Sequence, residues 1–107
     1  MFFKKKKKEV KVFELSEEAI NFIKTYLLKE CNITTKIDRD TLDQFVVVAS
    51  NWESGMVDEN GNDITYDYPD KEKNEMADRF VSEVSGKLAS DYWTVDFDEL
   101  NKKLGLK

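Results

Sequence analysis

Carboxylates are the most abundant side chains in this sequence that could take part in catalysis or metal binding. It contains 22 aspartates and glutamates among 107 residues, but no histidine and one cysteine, Cys31. Histidine-dependent nucleophile pairs, imidazole general bases and histidine zinc sites are therefore excluded within this chain. A pair of carboxylates is enough to catalyse the hydrolysis of a glycoside, but nothing in this sequence identifies two of them as such a pair. We expect neither enzymatic activity nor a cofactor.

Two acidic segments resemble metal-binding sequences, one a calcium loop around Gly61 and the other the Asp-x-Asp pattern of Asp38 and Asp40. Aligning Gly61 with the invariant glycine of a calcium-binding EF-hand loop places Met56 at the first ligand position. The same alignment places Asp67 where that loop has a bidentate glutamate. The pair Asp38 and Asp40 is better explained as a loop followed by a helix N-cap, which we assign to Asp40. We predict no metal site.

Aromatic side chains accompany the carboxylates between residues 58 and 68. Acidic residues steer a positively charged protein during association, and tyrosine is enriched at protein interfaces. The residues predicted to contact a partner are Asp58, Glu59, Asp63, Tyr66, Asp67 and Tyr68. The leading hypothesis is a small acidic protein-binding module, of the inhibitor, immunity or adaptor type, that acts on a basic protein.

Charge is distributed unevenly along the chain. Residues 4–8 are five consecutive lysines, and residues 9–107 carry 12 basic and 22 acidic residues, a net charge of −10. Such an acidic body repels nucleic acid and anionic membranes. We predict that residues 1–8 form a disordered lysine-rich head. The alternative function is a peripheral membrane or nucleic-acid accessory factor that contacts phosphates through this head.

Length and composition favour one globular domain over residues 9–107, since 40% of the chain is apolar. No apolar run approaches the roughly 18 residues of a membrane-spanning helix. The N-terminus lacks the apolar region of a signal peptide, and a lone cysteine gives no disulfide framework. These features predict a cytoplasmic protein.

Apolar periodicity predicts three longer helices and a short C-terminal one. The first begins at the N-cap Ser16, and the second runs from Asp40 to Trp52. Residues 45–49 also fit a buried strand, but the periodicity extends over more residues than such a strand and favours helix. The third spans residues 70–92, and the fourth begins at the N-cap Asp96 and ends before Gly105.

Strand signals are weaker. Apolar and polar residues alternate over part of residues 9–15, and this pattern predicts a short N-terminal strand. The dipeptide Asn60-Gly61 is typical of a type I′ turn and predicts a β-hairpin between helices 2 and 3, with Met56 and Val57 in its first strand. The predicted class is α+β, mainly helical. Sequence-specific DNA binding is not expected, because the second helix offers no basic residue to a groove.

Overall fold

The computed structural model describes residues 10–54 and 57–107. Strand β1 (Lys11–Phe13) comes first. Helix α1 follows as three continuous parts: Glu17–Phe22, a π-helical segment Ile23–Leu27, and a final turn Leu28–Glu30. The remaining elements are α2 (Arg39–Ser54), a 3₁₀ turn (Thr65–Asp67), α3 (Lys71–Leu88), β2 (Trp93–Val95) and α4 (Phe97–Leu104).

The mainly helical α+β class is confirmed, as is the helix over residues 45–49. Helix α3 packs against α1 and α2, and their apolar faces form one core around Phe22, Phe45 and Phe80. None of the described helices is long and apolar enough to span a membrane. The predicted head, residues 1–8, lies outside the described residues.

The two strands pair in parallel, which the sequence did not predict. Lys11 lies opposite Trp93 and Phe13 opposite Val95, and the backbone N–H of Lys11 donates to the carbonyl of Tyr92 at 2.7 Å. Of the predicted strand at residues 9–15, β1 retains only the central three, and residue 9 lies outside the description. Together the two strands close one end of the core, β1 through Phe13 and β2 through Val95, both of which are buried.

The predicted β-hairpin is wrong. Val57 and Asp63 form a single antiparallel bridge, and Met56 lies outside the described residues. A type I′ turn needs positive φ at both central residues, whereas Gly61 has a positive φ of 81° and Asn60 does not. The carboxylate of Asp58 accepts hydrogen bonds from two nearby backbone N–H groups. Local hydrogen bonds of this kind compete with the backbone hydrogen bonds between two strands.

Two helix ends differ from the predictions. The carboxylate of Asp38, and not that of Asp40, accepts from the N–H and hydroxyl of Thr41, both at 3.0 Å, so helix α2 begins one residue after Asp38. Helix α3 ends at Leu88, before the predicted end at residue 92, and Tyr92 is 56% exposed. The Ser90 hydroxyl accepts from the Tyr92 N–H at 3.1 Å and so favours a turn over continued helix.

The other predicted caps are confirmed. The Ser16 hydroxyl accepts from the N–H of Ala19 at 3.1 Å, and Asp96 accepts from the N–H of Glu99 at 3.1 Å. Gly105 adopts the left-handed conformation, with φ 72°, that ends α4. Each of these caps depends on residues within a few positions along the chain, which is why the sequence could identify them.

Candidate protein-binding surface

The predicted site lies in the connection between α2 and α3. We call residues 57–70 the acidic surface. It carries five carboxylates, those of Asp58, Glu59, Asp63, Asp67 and Asp70, and neither lysine nor arginine.

Asp58 organises the first turn of the acidic surface. One of its carboxylate oxygens accepts from the N–H of Asn60 at 2.9 Å and from the N–H of Asn62 at 2.8 Å. Its own backbone N–H donates to the carbonyl of Asn62 at 2.9 Å, and its carbonyl accepts from the N–H of Gly61 at 3.0 Å. The side chain is half-buried and fixes the turn, so Asp58 shapes the surface more than it is displayed on it.

Asp63 and Asn74 hold the 3₁₀ turn in place. The Asp63 carboxylate accepts from the N–H of Thr65 at 2.9 Å and from its hydroxyl at 2.6 Å. Thr65 is buried, and its carbonyl accepts from the side-chain amide of Asn74, a buried residue of α3, at 2.6 Å. The acidic surface is therefore attached to the longest helix through a buried hydrogen bond.

The structure distributes the six predicted residues over different roles. Glu59 and Asp67 are exposed, and Tyr68 is 45% exposed immediately after the 3₁₀ turn. Asp63 is exposed but engaged with Thr65. The side chain of Tyr66 lies outside what the structure describes.

Two residues that the sequence reasoning missed also lie on the acidic surface. Val57 is 63% exposed, and Asp70 is exposed just before α3 begins. The sequence predicts Val57 in a hairpin strand and Asp70 at the start of the third helix, and neither prediction marks the residue as part of a binding surface. Their exposure adds an apolar side chain and a carboxylate to the groups already predicted.

Hydrogen bonding lowers the pKa of both structural carboxylates of the acidic surface. For Asp58 the main cause is the backbone N–H of Asn62, and for Asp63 it is the hydroxyl of Thr65, followed by the Thr65 backbone N–H. These donors stabilise the ionised form of each carboxylate. Both side chains therefore keep their charge, and the hydrogen bonds that depend on it, to a lower pH than a free aspartate would.

The lowered pKa values predict an acid-sensitive stability. A carboxylate whose folded-state pKa lies below its unfolded value stabilises the fold above the unfolded pKa, and this contribution is lost as pH falls through the folded one. We expect the free energy of unfolding to fall as the pH drops below about 4. The fall should be shallower in the Asp58→Asn and Asp63→Asn double variant. Urea denaturation at a series of pH values measures both, and identical acid dependence in the two proteins would contradict the assignment.

Within residues 10–54 and 57–107, no three carboxylate or cysteine side chains are placed to hold a metal ion. Comparisons with protein-family models, with curated proteins and with solved structures found no match.

The arrangement is suited to recognition. Exposed carboxylates attract a cationic surface, and a half-exposed tyrosine supplies apolar contact area together with a hydroxyl. Both sit on a backbone whose conformation is set by its own side chains, so binding need not order the turn first.

Proposed function

We propose that this chain is a small protein-binding module of the inhibitor, immunity or adaptor type that binds a basic protein in the cytoplasm through its acidic surface. The observation that carries this proposal is that Glu59, Asp67 and Asp70 are exposed, as are Val57 and Tyr68, within one hydrogen-bonded connection.

The internal hydrogen bonds of the acidic surface favour the inhibitor or immunity type over an adaptor. Tight one-to-one binding gains from a surface that is already in its bound shape, because less conformational entropy is lost on association. The Asp58 and Asp63 carboxylates and the buried Asn74 amide supply that order. An adaptor that accepts several partners works instead through a surface able to repack.

In this proposal the charges act on the association rate and the aromatic contact acts on the dissociation rate. Glu59, Asp67 and Asp70 raise the association rate of a basic partner, and rim charges of this kind act chiefly on that rate. Tyr68 can pack against an aliphatic side chain or stack on an arginine of the partner, which slows dissociation. The partner surface that fits is therefore rich in arginine or lysine around an apolar centre.

Reversing two exposed charges tests this division. The partner is first identified by affinity capture with the full chain and mass spectrometry, and association is then followed by surface plasmon resonance at low salt. We expect the Glu59→Lys and Asp67→Lys double variant to associate about tenfold more slowly, and the difference to shrink as salt screens the charges.

The control carries the same charge change elsewhere. Asp40→Lys with Asp98→Lys alters two exposed aspartates in α2 and α4, outside the acidic surface. Its association rate should stay close to that of the parent chain. Equal rates for the parent and the Glu59→Lys and Asp67→Lys variant at low salt would reject the acidic surface as the binding site.

A further inference from the structure

The two paired strands carry an apolar surface on the side that faces away from the core. Phe13 and Val95 are buried, and side chains alternate along a strand, so the residues between them belong to the opposite face. On that face Val10 is 53% exposed, Val12 57% and Tyr92 56%. We call these three residues, together with the partly exposed Thr94, the outer face.

Helix α3 separates the outer face from the acidic surface. The acidic surface ends at Asp70, where α3 begins, and β2 follows the end of the same helix. A helix of 18 residues is about 27 Å long, at 1.5 Å per residue. The outer face is therefore a second surface and not an extension of the first.

The backbone of β1 has one side beside which no strand lies in the described part of the chain. The N–H of Lys11 donates to the carbonyl of Tyr92, so the backbone groups of Lys11 and Phe13 are directed toward β2. Those of Val12, between them, are directed away from β2. An edge strand of this kind is a template for pairing with a further strand.

Exposed carboxylates lie where the two strands end. Because the strands are parallel, Glu14 and Asp96, which follow the last paired residues, lie at the same end of the sheet. Both line a small cavity of about 60 Å³ together with Glu99 and Lys103, which makes three carboxylates and one cation. Lys11, by the alternation of β1, belongs to the other face. A segment lying along β1 therefore meets apolar side chains first and negative charge at the far end.

We propose that the edge of β1 binds an extended segment of a basic protein, which pairs antiparallel to β1 as a third strand. Antiparallel pairing lets the N–H and carbonyl of Val12 bond to a single residue of the segment. Alternate residues of the segment, two apolar ones and a lysine or arginine, lie opposite Val10, Val12 and Glu14 respectively. In strand addition the main-chain hydrogen bonds supply affinity and the alternate side chains supply specificity.

Charge favours a basic segment over a second copy of this chain. Pairing two β1 strands would bring together molecules that each carry a net charge of −5 and the same carboxylates at Glu14 and Asp96. A lysine or arginine beside those carboxylates is attracted instead. The contact does not involve the acidic surface and does not depend on the proposed function.

Titration of the isotope-labelled full chain with a synthetic peptide, followed through the amide NMR signals, tests the proposal. The probe is acetyl-Arg-Thr-Val-Thr-Val-Thr-amide, in which the arginine and the two valines occupy alternate positions. We expect saturable shifts of the amide signals of Val10, Val12 and Thr94. The dissociation constant should be on the order of 100 μM, because one added strand buries less than the roughly 1,000 Å² of a stable complex.

Two altered probes separate hydrogen bonding from charge while the protein stays unchanged. N-methylation of the first valine, the residue opposite Val12, removes a main-chain donor and should weaken binding about tenfold. Glutamate in place of the arginine should also weaken it about tenfold. In the protein, Glu14→Lys should lower the affinity for the arginine probe, whereas Asp40→Lys, the same charge change on α2, should leave it close to that of the parent chain.

Three results would overturn the proposal. The first is the absence of saturable shifts at Val10, Val12 and Thr94 up to about 5 mM probe, or equal binding of the N-methylated probe. The second is a set of shifts confined to residues 57–70, which would place the peptide on the acidic surface. The third is movement of the Val12 and Thr94 signals with protein concentration alone, since the occupant would then be a second copy.

Discussion

Replacing Phe22 by alanine is expected to lower the free energy of unfolding by about 4 kcal/mol, the range for deleting a fully buried aromatic ring. Phe22 is completely inaccessible to solvent and lies where α1, α2 and α3 meet. Its ring centroid is 5.3 Å from that of Phe80, 5.5 Å from that of Tyr26 and 5.8 Å from that of Trp52. One substitution therefore removes packing from all three long helices.

Urea denaturation followed by tryptophan fluorescence measures this effect, since Trp52 contacts the Phe22 ring edge-on. Phe22→Leu keeps most of the buried volume and should cost less than half as much as the alanine variant. Val47→Ala, at a highly exposed position of α2, is the control and should change stability by no more than about 0.5 kcal/mol. A loss below about 1.5 kcal/mol in Phe22→Ala would contradict the described packing.

Replacing Asn101 by alanine is expected to cost about 3 kcal/mol, because it leaves buried backbone groups without partners. Asn101 is buried in α4. Its side-chain oxygen accepts from the N–H of Ile37 at 2.7 Å, and its amide donates to the carbonyls of Ile37 at 2.9 Å and Phe97 at 2.7 Å. These bonds fix the segment that leads into α2.

Asn101→Leu separates hydrogen bonding from packing. Leucine fills a similar volume but satisfies neither backbone group of Ile37, so we expect this variant also to be destabilised by 2 kcal/mol or more. Lys102→Ala, at the exposed neighbouring position, should be nearly neutral. Parent-like stability of Asn101→Leu in urea would show that the Ile37 contacts contribute little.

The features that the sequence predicted well are local ones. The caps at Ser16, Asp96 and Gly105 each involve groups a few residues apart, and the residue types alone indicate them. The helix over residues 45–49 followed from a periodicity longer than a buried strand provides. The π-helical segment of α1 left no comparable signal, because Ile23–Leu27 has an ordinary helical composition.

Long-range features could not be read in this way. Strand β2 has three residues, too few to show alternation, and exists because β1 lies beside it. From the sequence alone, Asn101 is an ordinary polar residue on a helix. The segment around Ile37, far away in sequence, covers it in the structure. Side-chain to backbone bonds were also missed at the predicted site, where Asp58 and Asp63 support the turn while Glu59, Asp67 and Tyr68 are displayed.

The parallel pairing of β1 with β2 has a kinetic consequence. It joins residues about 80 positions apart, and pairings between such distant segments form slowly, since a large loop must close first. The helices can assemble through contacts between residues that are closer in sequence, and the two strands then pair beside an already packed core. Opening transitions should run in the reverse order, so amide protons of the short ladder would exchange with solvent before those at the centre of α3.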